Sequence, residues 1–199
     1  MRRFLLIILC CSALASACAS AAQTSSGGAG PTATAASATQ AASKSAGPAD
    51  AGWYALAPAG GGFTSKFPAR PTLTESTTTT KFGPAPTSIW EYLANSELDY
   101  NLAMWQYPAG STGNTTAATM YDGAILSMDS VNGLTLDGQS DITLNGHTGR
   151  AFAVSGSAYK LHGELVLVGD TLYMVYASYG PTIDTTVVDA FLADFAVTN

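Results

Sequence analysis

The chain has 199 residues, 47% of them hydrophobic and 11% charged, with 8 Lys and Arg against 14 Asp and Glu for a formal charge of −6. An acidic chain without a basic run lacks the Lys and Arg needed to neutralise phosphates, so nucleic acid is excluded as an expected partner. Its three cysteines, Cys10, Cys11 and Cys18, all fall at the very start, which leaves the rest without a disulfide framework or a thiolate metal site.

Met1-Arg2-Arg3, an apolar run from Phe4 to Cys11 and a small-residue stretch give residues 1–17 the charged, apolar, small order of a secretory signal peptide. The apolar block is shorter than the roughly 20 residues that a spanning helix needs. Leu14-Ala15-Ser16-Ala17-Cys18 resembles a bacterial lipobox, with Ala15 in the place where that signal prefers Leu. The resemblance implies a diacylglycerol thioether (palmitate-type lipid) on Cys18 and a membrane partner through that anchor. An unlipidated cut after Ala15-Ser16-Ala17 and an uncleaved anchor are the other readings. Removing residues 1–17 takes away Arg2 and Arg3, leaving 6 basic against 14 acidic residues, a formal charge of −8.

Residues 18–51 hold Cys18 and then little but Ala, Ser, Thr, Gly, Pro and Gln, with Lys44 and Asp50 the only charges. Such a stretch buries too little apolar surface to offset its ordering entropy, so a disordered tether is expected. As a flexible coil, residues 19–50 would span about 30 Å.

Residues 52–199 carry every Trp and Tyr and read as one α+β domain, large enough to bury about 70% of its unfolded surface. "WYALAP", "GGFTSKFPARP", "TLTESTTTTKF", "TSIWEYLAN" and "DYNLAMWQY" are rich in Thr, aromatic and aliphatic residues and broken by Gly and Pro, Gly83-Pro84 included, as short strands are. Their short connections require an antiparallel sheet. In "NTTAATMYDGAILSMDSV" the period becomes helical through Ala117, Tyr121, Ala124, Ile125 and Met128, with Asn114 as the expected N-cap. "DITL" and "HTGRAFAVSG" flank Asn145-Gly146, which favours a type I′ hairpin; "KLHGELVLV" and "TLYMVYASY" flank Gly169-Asp170, with Gly first as type II′ requires. Leu172 to Ala177 is apolar on both faces and reads as a central strand. A closing helix follows, with Val187, Val188, Phe191 and Leu192 on one stripe and Asp184 at its start.

"DITLNGHTGRAFAVSG", "LVLVGDTLYMVYA" and "VVDAFLADFAV" together resemble a widespread, uncharacterised bacterial domain of secreted proteins and lipoproteins, with "GGFTSKFPARPT" similar to its opening strand. Thr148 stands where that pattern has Pro. The resemblance implies a PsbP-like fold: an antiparallel sheet of several short strands with two main helices packed on it. It implies no activity, because the matching residues form turns and core.

Ser155-Gly156-Ser157 is not a nucleophile elbow, and neither Gly-rich run ends as a phosphate loop does. No catalytic residue, metal site or cofactor is assigned. His162 and Glu164, two apart on one strand, share a face and are the residues an envelope enzyme would use, with Arg150 as a third; the plainer reading is a solvated strand edge. Glu97 and Asp99 resemble a carboxylate pair, but their flanks suggest a turn. Arg150 would hold an anionic ligand or pair with Asp141 across the hairpin. Trp90 with Tyr92, and Trp105 with Tyr107, alternate on their strands and would line a binding groove or fill the core. The expectation is therefore a non-enzymatic binding or accessory domain for an envelope protein or small ligand, the alternatives being an enzyme or a purely structural cell-surface domain.

Overall fold

A computed structural model describes residues 52–198, apart from the side chains of residues 129–132. The expected signal, Cys18 and tether lie outside the described residues. Seven antiparallel strands form the main sheet in the order β3-β4-β5-β9-β8-β7-β6, and β1, β2 and β10 form a smaller one. In chain order the elements are β1 (Tyr54–Leu56), β2 (Phe63–Phe67), β3 (Thr72–Thr80), β4 (Gly83–Asn95), β5 (Leu98–Gln106), α1 (Ala117–Asn132), β6 (Thr135–Leu144), β7 (His147–Ser155), β8 (Lys160–Val168), β9 (Thr171–Tyr179), α2 (Thr185–Ala193) and β10 (Ala196–Val197).

The α+β antiparallel architecture is as expected, but the main strands are long, 9 to 13 residues each. β4 runs through Gly83, Pro84 and Pro86, where a break was expected. Thr80 pairs with Gly83 across a two-residue turn, so by antiparallel alternation the positions of Pro84 and Pro86 face away from β3. The last β4–β5 pair is Thr87 with Trp105, so no ladder bond is lost to either proline. The β6–β7 turn has both residues at positive φ, Asn145 at 50° and Gly146 at 86°, as a type I′ hairpin demands. Gly169 opens the β8–β9 turn at φ 57°.

The N-cap of α1 is Thr116, whose hydroxyl accepts from the Thr119 amide, not Asn114. The loop before it is held elsewhere: the Asp170 carboxylate accepts from the amides of Gly110 and Thr112 and from the Thr112 hydroxyl, and these bonds hold its pKa below the usual carboxylate value. At the other end of α1 Gly133 takes the left-handed conformation at φ 59°. Asp184 caps α2 by accepting from the Thr186 amide.

The strands' period of two sorts their side chains onto two cores. One face packs Trp90, Tyr100, Leu102, Tyr173 and Val175 against α2 and the small sheet, through Phe63, Phe67, Val188 and Phe191. The other packs Phe152, Val154, Leu165, Met174 and Tyr176 against α1, through Tyr121 and Ile125. Tyr121 also donates to the Thr148 carbonyl and accepts from the Leu167 amide, fixing the helix to β7 and β8. The middle strand, β9, is buried on both faces from Leu172 to Ala177.

Candidate functional site

On the α2 face, β6, β7 and β8 leave a shallow depression of about 310 Å³. Its floor is made of small residues. Gly138 and Ser140 stand on β6 across from Ala153 and Ala151 of β7, which in turn lie beside His162 and Glu164 of β8. With a methyl group or less projecting from most of these positions, the floor lies low, and Leu192 of α2 rises at its wall. A register shift between Leu136 and Gly138 adds a bulge that bends β6 at the rim.

His162 and Glu164 are thus brought together on a concave surface, Glu164 at 7% exposure and His162 half-buried. The imidazole Nε2 lies 3.1 Å from the Tyr179 hydroxyl, and the two rings meet edge-on at 5.3 Å. Burial raises the Tyr179 pKa, with Asp189 and Asp137 adding to the rise, so its phenol stays protonated and can donate to the imidazole. One carboxylate and one imidazole over an alanine floor can orient a polar group of a ligand whose apolar part lies along Leu192.

Arg150 is not part of this arrangement. It is paired with Leu165, whose side chain belongs to the α1 face, whereas Glu164 points the opposite way. There its Nε donates to Asp141 at 3.0 Å, its Nη1 to Asp122 at 2.7 Å and to Gln139 at 3.0 Å, and its guanidinium lies 5.9 Å from the Tyr121 ring. The cross-strand pairing with Asp141 is the expected local one, and α1 adds a second carboxylate.

The aromatic pairs do not line one groove. Trp90 is paired with Leu102 and Thr87 with Trp105, which places the two indoles on opposite faces of the sheet. Trp90 is 5% exposed and meets Phe63 edge-on at 5.2 Å. Tyr92, half-buried, stacks on Tyr100 at 6.4 Å. Trp105 and Tyr107 pack against the α1-side core, Tyr107 also meeting Phe82 at 5.3 Å. His147 opens β7 beside the hairpin turn, far along the strand from Ala153 and His162.

Glu97 and Asp99 are separated as well. Glu97 sits in the β4–β5 turn, its amide donating to Asn95 Oδ1 and its carboxylate accepting from Thr182 at 2.6 Å. Asp99 instead joins Glu91, Asn101 and Tyr176 on the α1 face: Asn101 is paired with Glu91 on one side and Tyr176 on the other. The Asp99 carboxyl is pushed up to about 6, chiefly by burial, with Glu91 adding to the rise and the Asn101 amide partly offsetting it. That amide is close enough to ease the charge, yet neither of its polar atoms, nor Asp99 Oδ1, reaches a hydrogen-bond partner. Burial also raises the Tyr176 hydroxyl far above its ordinary value, and Asp99 and Glu91 push the same way.

No helix among the described residues is long and apolar enough to cross a membrane. No group of three or more His, Cys, Asp or Glu that could hold a metal ion gathers among them.

No protein-family model matches the chain, and no curated protein does. Among solved structures it is similar to cyanobacterial PsbP (CyanoP) from Synechocystis sp. PCC 6803, with a TM-score of 0.53 and 11% identity over 72% of this chain and 91% of that one. A protein of unknown function from Pseudomonas aeruginosa matches with a TM-score of 0.37 and 11% identity, over 54% of this chain and 83% of that one. The first likeness makes the fold PsbP-like.

Proposed function

We propose that this chain is an extracytoplasmic lipoprotein, tethered to a membrane through a lipid on Cys18, whose α+β domain is a non-enzymatic binding or accessory module for an envelope protein or small ligand. The observation that carries the binding half is the small-floored depression with His162 and Glu164 at its edge. The order of signal, Cys18 and a tether of small residues supports the anchored half. Binding is favoured over catalysis because the third residue an enzyme would recruit, Arg150, is committed to Asp122 and Asp141 on the other face.

Labelled palmitate should enter the wild-type chain and fail to enter Cys18→Ala; equal labelling of both overturns the anchor. For the binding half, Ala153→Phe fills the floor of the depression. Envelope components retained by the full chain should be lost from this variant, and retention by both would move the binding surface elsewhere.

A further inference from the structure

β5 carries an anomaly that neither core explains. Asn101 is 0% exposed, yet both its Oδ1 and its Nδ2 are without a hydrogen-bond partner, and Asp99 Oδ1 beside it is orphaned too. A buried polar group left unpaired costs about 1–3 kcal/mol, and buried polar atoms in folded proteins nearly always find partners. Here three such atoms share one spot.

Their surroundings define what would pair with them. Asp99 and Asn101 are two apart on β5 and project from the same face. Glu91 lies directly across from Asn101 on β4, at a spacing of about 5 Å between Cβ atoms for such a pair. Tyr176 lies across from Asn101 on β9, so the set comprises two carboxylates, an amide oxygen and a phenol. Every acceptor is oxygen. No imidazole joins them, since His162 is on the α2 face and His147 at the far end of β7. Glu91 and Asp99 are half-buried, which leaves the cluster open to solvent on their side.

We infer that Glu91, Asp99 and Asn101 form a binding site for a hard divalent cation of the Ca²⁺ class. Oxygen donors without nitrogen or sulfur suit such an ion, which binds oxygens at about 2.3–2.6 Å and fills its remaining positions with water. Two carboxylates supply the charge, and Asn101 Oδ1 supplies a neutral oxygen fixed by complete burial. One amide serves two purposes: with Oδ1 on the ion, Nδ2 is free to donate to a carboxylate oxygen that the ion does not use.

The test is calorimetric titration of the full chain with CaCl₂, beside Asp99→Asn and Glu91→Gln. Both substitutions keep side-chain shape, and circular dichroism verifies that each variant is folded. Wild type should show saturable one-site binding with a Kd of roughly 0.1–1 mM, the range of extracellular calcium modules. Each variant should bind at least tenfold more weakly. Terbium, read by emission sensitised through nearby aromatic rings such as Tyr176, should bind wild type and be displaced by CaCl₂. Absence of saturable binding to wild type overturns the site. So does equal binding by the two variants, which would assign the calcium to diffuse attraction by an acidic chain.

Discussion

Along β5 the residues that point toward α2, Leu98, Tyr100, Leu102 and Met104, all belong to one hydrophobic core. Those that point the other way are Asp99, Asn101, Ala103 and Trp105. The difference follows from what lies above each face. On the α2 side, Phe67 and Phe191 meet at 5.1 Å and Tyr100 and Phe191 at 4.9 Å, so aromatic packing continues across strand after strand. On the other side α1 packs on β6, β7 and β8, and the neighbouring strands β3, β4 and β5 turn Thr72, Thr74, Glu91, Asp99 and Asn101 to the same face. One strand thus carries two chemistries, and the polar one is placed where no helix demands hydrocarbon.

The contrast is broken most directly by Phe191→Ala. This residue is 0% exposed at the centre of the aromatic packing, and its loss should cost about 3–5 kcal/mol in urea unfolding. A loss under 1 kcal/mol would mean that this core is not the principal one. On the opposite face Gly163→Ala should cost about 1–3 kcal/mol, because an added Cβ would lie 2.6 Å from Phe152 Cζ and 2.7 Å from Tyr176 Cβ.

Asp99→Asn should do the reverse and stabilise the protein at pH 7 in calcium-free buffer, by on the order of 2 kcal/mol after allowance for partial exposure. The sign follows from proton counting. A carboxyl at about 6 in the native state and 3.8 unfolded binds its proton more tightly when folded, so wild-type stability declines as pH rises from 4 through 6. The variant should lose that decline, and urea titrations at pH 4, 5, 6 and 7 read it. A smaller effect is expected for Thr116→Ala, which removes the α1 cap for about 1 kcal/mol. Asn114→Ala should be near neutral.

These expectations also show which features sequence reasoning reaches. The β6–β7 hairpin was legible because two consecutive positive φ angles require Asn-Gly chemistry, and α2 because its apolar stripe and Asp184 agree. β10 was not, since two residues paired to Phe63 and Thr64 have no periodicity of their own. Gly83-Pro84 suggested a break because a proline's harm depends on which way its missing N–H would point, a property of the ladder. The aromatic pairs fill or flank the cores, one of the two readings the sequence left open, but that they do so on opposite faces was hidden for a related reason. Trp90 and Trp105 each alternate correctly within a strand, but only the β4–β5 register reveals that their strands are out of phase. The depression was hidden further still, since Gly138, Ser140, Ala151 and Ala153 form a floor only after β6 and β7 are aligned. His162 and Glu164 were read as sharing a face, and they do; that this face is concave depends on the strands beside them.

The strand order has a kinetic consequence. β3, β4 and β5 are joined in sequence as neighbours, and so are β6, β7, β8 and β9, so each meander can assemble from local hairpins. A single seam unites them, the nine pairs from Leu98 with Tyr179 to Gln106 with Thr171. Closing it encloses α1 and three strands in one long loop, an entropic cost that is met before any seam contact is rewarded. The seam also buries both faces of β9, so neither core is complete until it forms. Folding should therefore be limited by the docking of two preformed halves: substitutions along Leu102 and Val175 should slow refolding, while those in the outer hairpins mainly speed unfolding.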